Sequence, residues 1–241
     1  MATKIEWTDI TWNPTTGCTK ISSGCKNCYA EKMALRLKAM HLEKYAKGFD
    51  LAIHPELLCE PYSWKLPRMV FVNSMSDLFH EGVPFEFIKQ IFKVMNENPK
   101  HIFQVLTKRA DKLVEFNEKL NWSSNIWLGV TVEDNKQLNR IDKLRKTDAK
   151  VKFLSCEPLL SSLKNINLQK IDWVIVGGES GTNARPIEKI WVEEIKNSCE
   201  IYQVPFFFKQ WGGRNKKENG RLLNGEIYSE MPNVMQSTVT Y

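Results

Sequence analysis

The chain has 241 residues, 42% of them hydrophobic and 26% charged, a composition too apolar for intrinsic disorder and too mixed for a fibre or a low-complexity array. No apolar run approaches the roughly 20 residues of a membrane span, and residues 1–7 carry no hydrophobic signal core, so a cytoplasmic location with no membrane partner is expected. The 34 Lys and Arg exceed the 28 Asp and Glu by six, which permits an anionic partner without requiring one.

A weak strand pattern over 10–13 leads into a glycine-punctuated loop, residues 17–29, that holds Cys18, Cys25 and Cys28. A helix is predicted over 29–40, followed by an irregular insertion at 41–68 that contains Cys59. Short Val-, Ile-, Phe- and Leu-rich runs then predict buried strands at 69–73, 101–106, 126–132, 151–155, 171–176 and 204–208. Between them lie helices at 84–96, opened by Pro84, and at 111–120. Two more are predicted at 134–146, with Asp134 as cap, and at 187–202, after Pro186. Strand starts at 69, 101, 126, 151, 171 and 204 recur every 20 to 33 residues, the rhythm of βα units in a parallel sheet.

No glycine-rich phosphate fingerprint follows the first strands, which counts against an open dinucleotide-binding sheet. The residues just past each strand favour a barrel instead. Asp77, Lys108-Arg109, Glu133-Asp134, Cys156-Glu157, Gly177-Gly178-Glu179-Ser180 and Lys209-Gln210-Trp211 close six successive strands. Barrels draw their active groups from the carboxyl ends of several strands. The expected fold is α/β, a partial or closed TIM-like barrel of six or seven βα units. It forms one domain over 1–212 with the insertion at 41–68 and a C-terminal tail at 213–241.

Three thiols within eleven residues, leading directly into a helix, suit a soft metal centre. Three readings stand. An iron–sulfur cluster held by three cysteines keeps one iron open. A structural zinc needs a fourth ligand, for which His41 and Cys59 are nearest. The thiols are otherwise unligated or redox-active. Cys156, just after a strand, is a candidate catalytic thiol aimed into the barrel mouth, with Glu157 beside it; Cys199 lies on the apolar stripe of the last helix. His80 is the one histidine in a strand-end loop, and Trp12 and Trp211 are placed to close the mouth or stack on a base. Arg214, Lys216, Lys217 and Arg221 make the segment after Lys209 basic, either a solvated loop or a phosphate contact.

The stretches that carry a resemblance are Trp12-Asn13-Pro14-Thr15-Thr16-Gly17-Cys18, Asn73-Ser74-Met75-Ser76-Asp77-Leu78-Phe79-His80 and Leu106-Thr107-Lys108-Arg109. They continue with Leu154-Ser155-Cys156-Glu157-Pro158-Leu159-Leu160, Gly177-Gly178-Glu179-Ser180-Gly181 and Phe208-Lys209-Gln210-Trp211-Gly212, so that they span 7–212. The chain resembles the radical S-adenosylmethionine superfamily and, more closely, a phage-type three-cysteine family of bacteriophages and bacterial genomes. Its loop reads Cys-x6-Cys-x2-Cys, three residues longer in the first interval than the superfamily's Cys-x3-Cys-x2-Cys.

The resemblance implies a [4Fe-4S] cluster on Cys18, Cys25 and Cys28. Its open iron would bind the amino and carboxylate groups of S-adenosylmethionine, and reduction would give a 5′-deoxyadenosyl radical. Lys108 or Arg109 would pair with the cofactor carboxylate. Asp77, Glu133, Glu157 and Glu179 are candidates for the ribose hydroxyls or the amine, with Gly177, Gly178 and Lys209 lining the same site. An electron donor is implied. The substrate is open, with a nucleic acid or nucleotide suggested by the charge. The competing readings are a non-catalytic metal protein that recognises nucleic acid or a partner protein, and a metal-dependent nuclease or hydrolase built on the strand-end carboxylates.

Overall fold

Seven of the short β-branched and aromatic runs form one parallel sheet in a computed structural model that describes residues 3 and 5–233, without the side chains of Lys216 and Lys217. Residues 1, 2, 4 and 234–241, which include parts of the expected leader-free start and of the expected tail, lie outside the described residues. In chain order the elements are β1 (Ile10–Trp12), β2 (Thr15–Thr16), α1 (Tyr29–Ala39), β3 (Ala52–Ile53), α2 (Glu60–Ser63), β4 (Met69–Val72), α3 (Phe85–Glu97) and β5 (Ile102–Thr107). There follow α4 (Ala110–Phe116), β6 (Ile126–Thr131), α5 (Asn139–Arg145), β7 (Val151–Cys156), β8 (Trp173–Gly177), α6 (Lys189–Tyr202), β9 (Phe206–Gln210) and α7 (Lys216–Asn219).

The strand order is β1-β4-β5-β6-β7-β8-β9, every pair parallel. The order never reverses, so the sheet has no switch point of the doubly wound kind. It is wound in one direction, as in a partial barrel. The closed alternative does not hold: β1 and β9 are the two sheet edges.

Alternation along the strands builds two cores. Val70, Val105, Leu128, Val130, Leu154, Val174, Val176 and Phe208 share a cluster with Ile88, Ile91, Phe92 and Met95 of α3 and Val192 and Ile195 of α6. The other face of the sheet is filled by aromatics: Phe71, Trp127, Phe153, Trp173 and Phe207, with Ile175 and with Trp7 from the segment before β1. Gly129 is small because Phe153 lies over it; a Cβ there would sit 2.4 Å from that ring. Each fully buried large side chain contributes about 1.5–3 kcal/mol of transfer free energy.

Local signals explain the helix limits. In α3, Phe87, Ile88, Ile91 and Met95 repeat at helical spacing and are buried, while Pro84 occupies the cap position. The segment expected as a helix from Asp134 begins instead with the 3-10 turn Asn135–Gln137. Asp134 does cap it, its side chain accepting from the Lys136 amide at 3.0 Å. α6 ends where Gln203 takes a left-handed conformation.

The insertion joins the domain through β3, which pairs antiparallel with β2, and through the Trp12 indole, which donates to the Leu57 carbonyl at 2.8 Å. The described part of the tail folds back on the free edge of β9. The Phe208 amide donates to Tyr228 O and the Glu230 amide to Phe206 O. This covers part of a backbone edge that would otherwise be open to pairing with another chain. Arg221 belongs to the same packing. Its guanidinium stacks on Phe207 and donates to Tyr228 O and Ser229 Oγ, so it does not extend toward a phosphate backbone.

Candidate functional site

The chain leaves β1 at its carboxyl end and enters the cysteine loop through Gly17. The backbone there is left-handed, and a Cβ would lie 2.1 Å from the Asp50 carbonyl oxygen, so only glycine fits. The Gly17 amide donates to Met75 O at 3.0 Å and the Cys18 amide to Phe49 O at 3.1 Å. From there to Cys28 the only regular structure is the 3-10 turn Ser23–Cys25.

What fixes the loop is a set of ties to successive strand ends. Past β4, His80 Nδ1 accepts from the Gly82 amide, so its Nε2 carries the proton of the neutral ring and donates to Thr19 Oγ1 at 3.0 Å. Past β5, Arg109 donates to Thr19 Oγ1 at 2.9 Å and Thr19 O at 3.2 Å, and its Nη2 stands 3.8 Å from Cys18 Sγ. Past β6, Glu133 accepts from the Ser22 hydroxyl and from the Gly24 amide, and Asp134 accepts from the Ser23 hydroxyl at 2.6 Å. Past β8, Glu179 accepts from the Asn27 side-chain amide at 2.8 Å. The loop therefore lies across the carboxyl end of the sheet.

Four residues expected at the cofactor prove to be engaged inside the protein. Asp77 accepts from the Phe79 and Lys108 amides, each at 3.0 Å, and from the Thr107 hydroxyl at 2.7 Å, with Arg109 Nε 4.0 Å away. Arg109 is turned toward Glu81, both of whose carboxylate oxygens lie 2.6 Å from its Nη1. Glu133 is fully buried against Arg140 Nη1 at 2.8 Å. Burial pushes the Glu179 carboxyl up, but hydrogen bonds from the Arg185 guanidinium and amide and from Asn27 outweigh it and hold the carboxyl down at about 2. A carboxylate so surrounded acts as an anchor for the groups that point at it.

Cys18, Cys25 and Cys28 are free and half-buried. Burial and the Asp77 carboxylate push the Cys18 thiol up to about 11, against the pull of Arg109. At Cys25 burial acts in the same direction, but backbone hydrogen bonds from Ile21 and Ser22 and the Lys108 charge win and lower it. Cys28 stands at the cap of α1, directly before its first turn. Among the described residues no three Cys, His, Asp or Glu side chains are gathered as ligands of a single ion. Cys59, one possible fourth zinc ligand, is exposed on a separate turn, its thiol directed at Glu56 O.

Under the loop, the inward face of the strands ends in a polar row. Lys108 Nζ donates to Thr131 Oγ1 at 3.2 Å, and Thr131 is in register with Ser155. Ser155 Oγ donates to Glu157 Oε2 at 3.3 Å, and Lys209 Nζ lies 2.9 Å from Glu157 Oε1. Gly177 leaves room for that pair, since a Cβ would come within 2.9 Å of Glu157 Oε1. Gly178 serves a different need: a Cβ there would lie 2.0 Å from the Trp211 carbonyl oxygen. Cys156 is not part of the row. Alternation turns it to the helix side, where it is fully buried in the same cluster as Cys199, and burial raises its thiol well above the usual range. The expectation that it points into the mouth is corrected.

A family described as a protein of unknown function, DUF5131, matches residues 2–232. The chain belongs to the DUF5131 family. No curated protein matches this DUF5131 chain. Its fold is similar to a solved structure of spore photoproduct lyase complexed with dinucleoside spore photoproduct, at 11% identity over 77% of this chain and 59% of that one, with a TM-score of 0.45. A mutant of that lyase with bound AdoMet and dinucleoside spore photoproduct is similar at 10% identity, over 78% of this chain and 60% of that one, with a TM-score of 0.46. The DUF5131 chain thus spans about three fifths of the length of these structures.

Other residues of the DUF5131 chain fall where sequence reasoning had not put them. Trp12 is wholly buried beside Phe103, on the helix side, and does not reach the mouth. Trp211 packs edge-on against Phe208 and donates to Leu222 O. Thr19, Ser22, Asn27, Arg140 and Arg185, which tie the loop or its anchors, were missed. For Thr19, Ser22 and Asn27 the sequence signal is the hydroxyl and amide residues between the cysteines; Arg140 and Arg185 carry none.

Proposed function

We propose that this chain is an iron–sulfur enzyme of the radical S-adenosylmethionine kind, with a [4Fe-4S] cluster on Cys18, Cys25 and Cys28. The observation that carries the reading is the three-thiol loop lying across the carboxyl ends of a parallel sheet wound in one direction. The donor set fits. Three free thiols on one loop are soft ligands of the kind that hold iron–sulfur clusters, and with three cysteines one iron would be left for a further ligand. When bound, the cluster and S-adenosylmethionine would supply reductive cleavage of the cofactor and hydrogen abstraction from a substrate.

The chain's own residues do the rest. Lys108 lowers the Cys25 thiol and, with Glu157 and Lys209, presents charge on the inward face next to the loop. These three are the groups left to meet the cofactor's carboxylate, amine or hydroxyls, since Arg109, Glu133 and Glu179 are committed to the loop and Asp77 to the residues past β4 and β5. The aromatic layer of Phe153, Trp173 and Phe207 beneath keeps water from the floor of the site. A nucleotide or nucleic acid as substrate fits the formal charge of +6 and the two lysines at the mouth, and a separate electron donor would reduce the cluster. The nuclease reading has less support, because three of its four carboxylates are buried among internal donors.

The test is anaerobic purification followed by iron and sulfide analysis, then addition of reductant and S-adenosylmethionine with measurement of 5′-deoxyadenosine. Iron, sulfide and cofactor cleavage are expected. Cys18→Ala, Cys25→Ala and Cys28→Ala should each lose the cluster, and Cys199→Ala should keep it. Zinc in place of iron would sink the proposal; iron without cleavage would favour a non-catalytic cluster.

A further inference from the structure

We infer that Glu133 and Glu179 are positioning residues that hold the cysteine loop over the sheet before any cluster is present. The inference rests on the reading of that loop as the cluster site and assigns its assembly to two buried carboxylates.

Each carboxylate is shared between the body of the fold and the loop. Glu133, past β6, takes Arg140 Nη1 at 2.8 Å on Oε2, while its Oε1 receives the Ser22 hydroxyl and the Gly24 amide at 3.4 Å. Glu179, past β8, takes Arg185 Nη2 on Oε1 at 2.5 Å, and its Oε2 receives Arg185 Nε at 2.9 Å, the Arg185 amide at 3.0 Å and Asn27 Nδ2 at 2.8 Å. Both side chains are almost wholly buried. A carboxylate out of water demands donors, and hydrogen bonds to a charged acceptor are among the stronger ones a protein makes. The arginines meet part of that demand, and the loop meets the remainder. Ser22 and Asn27 bracket Cys25, and Asn27 directly precedes Cys28, so satisfying two carboxylates also fixes the thiols' path. A Cβ at Gly24 would lie 3.0 Å from Glu133 Oε1 and so would crowd the same contact. A site held ready by its surroundings needs less ordering when its ligand arrives.

The test removes the loop's half of each tie and leaves each carboxylate with its arginine. Ser22→Ala and Asn27→Ala are made in the full chain, and amide hydrogen exchange is followed in cluster-free protein. Exchange at residues 18–28 should rise on the order of tenfold in Ser22→Ala, the change that loss of one hydrogen bond to a charged acceptor produces, at least as much in Asn27→Ala, which also loses the bond of Asn27 Nδ2 to Asn183 O at 2.8 Å, and further in the double variant. Amides of β6 and β8 should exchange as before, and Ser22→Thr, which keeps the hydroxyl, should restore protection. Iron and sulfide taken up on reconstitution should fall in step. Unchanged exchange at 18–28, or a rise spread equally over the sheet, overturns the inference. Exchange is read without metal. Failure of the unsubstituted protein to take up iron would therefore count against the cluster reading, while the exchange result still decides the role of Glu133 and Glu179.

Discussion

Glu179→Gln keeps the shape of the side chain and removes its charge, so it isolates what the anion contributes. The native carboxylate accepts from the Arg185 amide at 3.0 Å, from Arg185 Nε at 2.9 Å and from Asn27 Nδ2 at 2.8 Å, and Arg185 Nη2 reaches its second oxygen at 2.5 Å. These contacts outweigh burial and bring the carboxyl from 4.5 down to about 2. That interval corresponds to roughly 3 kcal/mol of preferential binding of the ionised form in the folded state. Because the folded value is the lower one, the stabilisation is complete above about pH 4.5 and is lost as the pH falls toward 2. Urea unfolding of the variant and the unsubstituted protein should therefore differ by about 3 kcal/mol at pH 7 and by about 2 kcal/mol at pH 3.5. The denaturant slope should stay constant, since the surface exposed on unfolding does not change. A gap below about 0.5 kcal/mol at pH 7, the level of an ordinary surface change, would refute the assignment of Glu179 as a charged anchor. So would a gap that does not narrow with acid.

Cys156→Ser should lower stability by about 1–3 kcal/mol in urea, because a hydroxyl replaces a thiol in an apolar core, and should leave the iron content unchanged. Gly129→Ala drives a methyl into the Phe153 ring, and calorimetric melting should show a loss of about 1–3 kcal/mol with the iron content again unaffected. Lys209→Met removes the cation beside Glu157 at the mouth; titration calorimetry should find S-adenosylmethionine bound about tenfold more weakly, equivalent to about 1.4 kcal/mol, and an unchanged affinity would take Lys209 out of the cofactor site.

Six of the seven strands of the main sheet were legible because a strand covered on both faces is a largely apolar run, as in Val151–Cys156 or Trp173–Gly177, whereas the short, half-buried Ile10–Trp12 left only a weak pattern. The cysteine loop was legible for a similar reason: three thiols, glycines and a following helix lie together in the chain. Which side of a strand faces the mouth was not legible. Ser155, Cys156 and Glu157 are consecutive, and alternation sends the cysteine one way and its neighbours the other. Only the second face of the sheet, marked by Phe153 and Trp173, says which way is in.

The roles of the strand-end carboxylates were beyond the sequence for a different reason. Glu133 meets Ser22 across 111 residues and Glu179 meets Asn27 across 152. Such partners become neighbours only when the sheet winds and the loop crosses its end. By itself the amino-acid sequence determined the order and burial of the strands and the chemistry of the loop. The tertiary structure decided which charged groups are committed to holding that loop and which, Lys108, Glu157 and Lys209, remain at the mouth. A carboxylate's work depends on the donors around it, and those are set by the path of the whole chain.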